Sequence, residues 1–154
     1  MKNRHKARVY AFQFLYRLQL ESFASLKEQL LDSADGVRLL PAIIEEFDTL
    51  MLPASMPKNE DYRFARKLVE VVLTRYSEIE KVCQDNGASV SKNRNMAVDY
   101  TILLLGTAEF ISFPETHENI IINEMVELAK EFSTKDAFSY INRVLDSISK
   151  EVRR

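Results

Sequence analysis

The sequence predicts an all-α fold, and three observations carry that expectation. Apolar residues recur at helical spacing through most of the chain. Only 3 glycines and 4 prolines punctuate 154 residues, too few for the turns of a many-stranded fold. Hydrophobic residues make up 46% and charged residues 29%, the balance of a water-soluble domain with one core. A single domain of this length buries about two-thirds of its unfolded surface and needs no staple. The same counts exclude collagen-like, mucin-like and wholly disordered chains.

In the first predicted helix Ala11, Phe14, Leu15 and Leu18 fall at i, i+3, i+4 and i+7, which is one buried stripe. Arg4, His5 and Arg8 share another face, continued by Phe12 and Tyr16. A second, short helix is expected around Phe23 to Leu31, ending near Asp32 to Gly36. A third runs roughly from Val37 to Leu50, with Pro41 in its first turns, where proline is tolerated. Leu52 to Asn59, with Pro53 and Pro57, reads as a loop. Asn59 stands where an N-cap belongs, with Glu60 and Asp61 in the first turn behind it. The helix it opens is expected to continue to about Cys83 and to stop at Asn86-Gly87, a left-handed terminator.

Ser89 to Asn95 is polar and basic, and Met96 to Phe110 is apolar nearly all round, so the latter should be a central buried helix. After Pro114, the residues Ile122, Met125, Val126, Ala129 and Phe132 mark another amphipathic helix. Ser133 and Asp136 have capping-box spacing, with Asp in place of the usual Glu or Gln. Phe138, Ile141, Leu145, Ile148 and Val152 then form a heptad-like seam on the last helix. The count is about seven helices in one domain spanning residues 1–154, with no repeat, low-complexity segment or dividing linker.

Chemistry is sparse. The one cysteine, Cys83, allows no intrachain disulfide and no CxxC pair, and is expected to be a small half-buried residue. His5 and His117 lie far apart, without a second ligand at metal spacing, so no metal or other cofactor is expected. His117 reads as a polar loop residue. GxSxG, P-loop and GxGxxG signatures are absent. Pairs such as Glu124 with Glu127 or Glu78 with Glu80 read as solvated helix faces rather than acid–base machinery. An enzyme is not expected. No apolar run is long enough to span a membrane, and the basic start lacks the apolar core of a secretory signal, which makes the cytoplasm the default.

Charge is unevenly spread. Residues 1–20 hold Lys2, Arg4, Lys6, Arg8 and Arg17 and none of the 23 acidic side chains, so a basic tip precedes an acidic body. Cations interleaved with aromatics on one helix suit RNA: Arg4, Lys6 and Arg8 can neutralise phosphates, and Tyr16 or Tyr10 can offer a stacking face. Tyr10 reads better as core, whereas for Tyr16 the two readings are close.

Two stretches resemble the NusB family of transcription antitermination factors. One is Asn3-Arg-His-Lys-Ala-Arg-Val-Tyr-Ala-Phe-Gln-Phe-Leu-Tyr16, like the family's arginine-rich start and "A-x-Q-x-L-Y" helix. The other is Ile122-Asn-Glu-Met-Val-Glu-Leu-Ala-Lys-Glu-Phe132 with Tyr140-Ile-Asn-Arg-Val-Leu-Asp146, similar to "INEAVELAKxF…FVNGVLD". The resemblance implies two small helical bundles. It also implies pairing with NusE, a ribosomal protein, to bind single-stranded boxA RNA in ribosomal RNA leaders, and so a place in the antitermination complex of RNA polymerase. On that basis Lys2, Arg4, His5, Lys6, Arg8, Tyr16, Asp136 and Tyr140 would face RNA, and Asp99, Tyr100 and Leu103 would face NusE.

The chain departs from the family pattern at several positions. His5 takes an arginine position and makes part of the arm's charge pH-dependent. Leu104 and Tyr100 replace arginines, Arg143 and Ser133 replace glycines, Val71 stands at a glycine position and His117 at a proline position. The alternative reading is a helical protein–protein adaptor or homodimer that keeps the fold without specific RNA binding, with contacts near Phe110, Ile111 and Phe113.

Overall fold

The computed structural model describes residues 4–20, 23–51, 59–89 and 94–153. Every regular element among them is helical: α1 (Arg4–Gln19), α2 (Ala24–Leu31), α3 (Ser33–Met51), α4 (Glu60–Thr74), α5 (Tyr76–Asp85), α6 (Arg94–Ser112), α7 (Glu118–Phe132) and α8 (Ala137–Val152). The all-α expectation holds, with eight helices where the sequence suggested about seven. The chain forms two compact units, Met1–Thr74 and Arg75–Arg154. The loop expected over Leu52 to Pro57 lies outside the described residues.

The extra helix comes from a break in what reads as one run from Asn59 to Cys83. Asn59 does cap α4, its Oδ1 accepting from the backbone N–H of Asp61 at 3.0 Å and of Tyr62 at 3.3 Å. At the other end the Thr74 hydroxyl donates back to the Glu70 carbonyl at 2.7 Å, a bond that bends helices. Arg75 then leaves helical geometry with φ −120° and ψ 29°. Its guanidinium grips Glu78 through Nε at 2.9 Å and Nη2 at 2.5 Å, which anchors the first turn of α5.

In the first unit α1 packs on α4 and α2, and α2 packs on α3. Ala11, Phe14, Leu15 and Leu18 are buried as the stripe required, and Tyr10 joins them in the core. The ring of Phe47 on α3 meets Tyr10 and Phe14 edge-on at centroid distances of 5.2 and 5.0 Å. One residue, Asp32, separates α2 from α3, so α3 starts four positions earlier than expected and Pro41 lies well inside it. Gly36 permits that tight return, because a Cβ there would collide with the Leu30 carbonyl.

In the second unit α6 is the central helix, and Thr101 through Phe110 are all buried. α7 and α8 pack on α6 and on each other. A Cβ at Gly106 would lie 2.9 Å from Leu145 Cδ2 and 3.0 Å from Met125 Cγ, so the glycine permits this close approach. Gly87, with φ +102°, terminates α5 as expected, and the Ala88 N–H returns to the Cys83 carbonyl at 2.9 Å.

Two local expectations fail. Ser133 and Asp136 make no capping box, because the Ser133 hydroxyl is spent on Asp99 Oδ1 at 2.5 Å and Asp136 makes no side-chain cap bond. The seam of α8 buries Ile141, Val144, Leu145 and Ile148, while Phe138 turns outward and is 43% exposed.

Candidate nucleic-acid interface

The N-terminal half of α1 carries the basic side chains, and α4 supplies their seat. The guanidinium of Arg4 lies 4.1 Å from the centre of the Phe64 ring, and that of Arg8 lies 5.3 Å from the same ring. Arg4 and Arg8 are four residues apart, so successive turns of α1 bring both to one aromatic side chain. Glu60 and Asp61 in the first turn of α4 approach the Arg4 guanidinium at 3.7 and 3.9 Å. Asp61 Oδ1 is buried and accepts no hydrogen bond among the described residues, with Arg4 Nε 3.9 Å away.

Solvent access separates the arm residues. Lys6 is exposed, His5 is half-buried, and the Arg4 side chain is 30% exposed. Arg8 is only 3% exposed, so its charge lies under the surface, over Phe64, and not beside Arg4 in solvent. Lys2 lies outside the described residues. Tyr16 is half-buried, with its ring stacked nearly parallel to Phe12 at 5.7 Å. Farther along α1, Arg17 covers Phe23 at 4.6 Å.

The remaining sequence-derived candidates fall in the second unit. Asp136 is exposed at the entrance to α8. Tyr140 is half-buried, and its hydroxyl accepts from the Ser89 N–H at 3.0 Å and donates to the Gly87 carbonyl at 3.4 Å. Arg143 stands 5.6 Å from the Tyr140 ring centre, so a cation and an aromatic face adjoin there.

The α6 candidates differ among themselves. Burial pushes the Asp99 carboxyl above the usual carboxylate range, opposed by the Ser133 hydrogen bond. Tyr100 is buried, donating to Glu80 Oε2 at 2.8 Å and accepting from Gln84 Nε2 at 3.1 Å. Leu103 is fully enclosed, so its side chain is core in this unit and not a surface contact. Leu104 is enclosed as well, and replacing the family's arginine there leaves an apolar core position. Phe110, offered as an apolar contact point in the adaptor reading, is likewise buried.

Sequence reasoning missed several residues. Phe64 carries no motif; it follows Glu60 by four residues and Asp61 by three, one turn farther along α4. His117, read as a loop residue, caps α7 by accepting from the Asn119 N–H at 3.1 Å through Nδ1. Arg153 donates to the carbonyls of Phe110, Thr116 and Phe113 at 3.1, 2.5 and 2.8 Å, closing the turn between α6 and α7. Cys83 is fully buried, contacting Thr107 Oγ1 at 3.3 Å, and burial pushes its thiol up to about 12. Among the described residues no group of three His, Cys, Asp or Glu side chains could hold a metal ion, and no helix is long and apolar enough to cross a membrane.

The arrangement offers cations seated on aromatic rings at the start of α1 and of α8, chemistry suited to phosphates and bases. Comparison with known proteins points the same way. The model of the NusB family matches residues 5–150. The transcription antitermination protein NusB of Geotalea uraniireducens is 30% identical over 149 residues, covering 97% of this chain and 95% of the relative. That of Koribacter versatilis is 31% identical, covering 97% and 90%. A solved structure of the antitermination factors NusB and NusE in complex with double-stranded RNA superposes with a TM-score of 0.70 at 25% identity, covering 98% of each chain. NusB of T. maritima superposes with a TM-score of 0.74 at 23% identity, covering 98% of this chain and 93% of that one.

Proposed function

The chain belongs to the NusB family, and from that premise we propose that it is a non-enzymatic transcription antitermination factor that pairs with NusE and binds RNA. The observation that supports this reading is the likeness to one chain of a solved NusB–NusE–RNA complex, with 98% of each chain covered. We take residues 1–154 as one NusB-like domain working in the cytoplasm, beside the transcribing polymerase. The RNA is boxA-like and single-stranded, from ribosomal RNA leaders.

Within that reading the arm meets phosphates through Lys2, Arg4, His5 and Lys6, while Arg8 contributes from beneath the surface. Tyr16 offers a ring to a base, and Asp136 and Tyr140 mark a second contact at the start of α8. The NusE side is the α6 face, which Asp99, Tyr100 and Leu103, all buried in this unit, support from within. The adaptor reading gains nothing from Leu104 or Tyr100. Both are buried, so neither replacement strips a charge from the surface of this unit.

The experiment is a salt-series titration of boxA RNA, a scrambled single strand and a duplex, each with and without NusE. Preferential binding of boxA RNA, tightened by NusE, is the expected result. Equal weak binding of all three, unchanged by NusE, would replace this reading with the adaptor.

A further inference from the structure

Two guanidiniums lie over one ring, and that ring is itself too buried to touch RNA. Phe64 is buried on α4. The centre of its ring lies 4.1 Å from Arg4 and 5.3 Å from Arg8. A stacked guanidinium keeps its N–H groups directed outward in its own plane, where they remain available to carboxylate or phosphate oxygens. For Arg4 those groups meet Glu60 and Asp61 at the loose distances of 3.7 and 3.9 Å, long enough for a phosphate to compete. An arginine at a helix start otherwise samples many rotamers, and ordering it on binding costs affinity. The ring removes that cost beforehand.

We propose that Phe64 is a positioning residue for RNA binding: its ring holds the Arg4 guanidinium over α4, backed by Arg8, so that the planar cation is in place before phosphate arrives. This rests on the RNA-binding reading above. Phe64 acts through Arg4 and makes no contact with RNA itself. A lysine at position 4 keeps the charge but cannot present a planar fork while stacked. The ring's effect is therefore specific to arginine.

The test compares the intact chain with Phe64→Leu, Phe64→Tyr, Arg4→Ala and the double variant Phe64→Leu/Arg4→Ala, titrating boxA RNA and an oligouridylate at low salt. Phe64→Leu is expected to weaken binding about 5-fold, within the range of a partly desolvated cation–π contact. Phe64→Tyr keeps the ring and should bind within about twofold of the parent. With Arg4 removed, Phe64→Leu should change affinity less than about twofold, which a purely structural role would not produce. Helicity and melting are followed alongside. If Phe64→Leu does not fold, Arg4→Lys at the surface carries the test, with about a threefold loss expected despite its retained charge.

RNA binding by the parent, together with parent-like binding by folded Phe64→Leu, overturns the proposal alone. So does an equal loss with and without Arg4, or parent-like binding by Arg4→Lys. Failure of the parent to bind either RNA overturns the RNA-binding reading and this proposal together.

Discussion

Tyr10 on α1 donates its phenolic hydrogen to Asp48 Oδ1 on α3 at 2.5 Å, and Tyr62 on α4 donates to the other oxygen of the same carboxylate. A buried carboxylate is costly unless its oxygens are satisfied, and here two phenols from two different helices satisfy them. Three helices are thus pinned at one point within the unit that carries the basic arm. Asp48→Ala leaves both phenols without their acceptor and is expected to cost about 3 kcal/mol. Tyr10→Phe removes one donor and should cost about 1 kcal/mol. Urea unfolding of the two variants checks the ranking, and equal midpoints for Asp48→Ala and the parent would exclude the pin.

The same trio sets an alkaline limit. Burial, followed by the hydrogen bond to Asp48, pushes the Tyr62 phenol up to about 12 from its ordinary 10. Tyr10 is raised further by the same causes. A raised phenol contributes its stabilisation fully below pH 10 and loses it as pH rises toward 12. Stability should therefore fall between those values, and Tyr62→Phe should flatten the fall while lowering stability at pH 8. Urea melts at pH 8, 10 and 11 measure both slopes. An equally steep fall in Tyr62→Phe would remove this residue from the account.

Arg153 should matter more than its position near the end of the chain suggests. It ties the Phe110 carbonyl in the last turn of α6 to the Phe113 and Thr116 carbonyls of the connection that follows, and lies 3.5 Å from Glu118. Arg153→Met keeps the stem but frees those carbonyls, a loss of about 2 kcal/mol. Thermal melting should then fall by about 4–8 °C for a chain of this size. A midpoint shift under about 1 °C would mean that solvent replaces the guanidinium without loss.

The sequence made the helical class legible because helical spacing needs only local information. The buried stripe of α1, the Asn59 cap, the Gly87 terminator and the enclosed α6 are all read from a few neighbouring residues. What escaped depends on tertiary partners. Ser133 has the residue type of an N-cap, but Asp99, 34 positions away, takes its hydroxyl. Phe138 fits the heptad arithmetic, yet Val144 is buried in the seam while Phe138 stays exposed. The split between α4 and α5 turns on Thr74 and Arg75, neither of which is a helix breaker by type. At the candidate interface the cations of α1 were legible as charge, whereas their seat on Phe64 was not, because no spacing rule links α1 to α4.

Arg4 and Arg8 look equivalent in sequence and should behave differently in solution. Arg4 has solvent access and loose acidic neighbours, whereas Arg8 is 3% exposed over Phe64. On a single strand, log affinity falls by about 0.7 per log unit of salt for each phosphate contacted. Arg4→Ala with Lys6→Ala should therefore flatten the salt slope by about 1.4, and it also lowers the melting temperature, because the buried Asp61 carboxylate loses its Arg4 neighbour. Arg8→Ala loses buried packing and a desolvated cation–π contact, and should cost about 1–2 kcal/mol of stability. A salt series and a melting curve on each variant separate the two roles. An unchanged slope in the Arg4/Lys6 double variant would remove the arm from the RNA interface. An unchanged melting point in Arg8→Ala, together with a flatter slope, would put Arg8 in contact with phosphate and require it to leave Phe64 on binding.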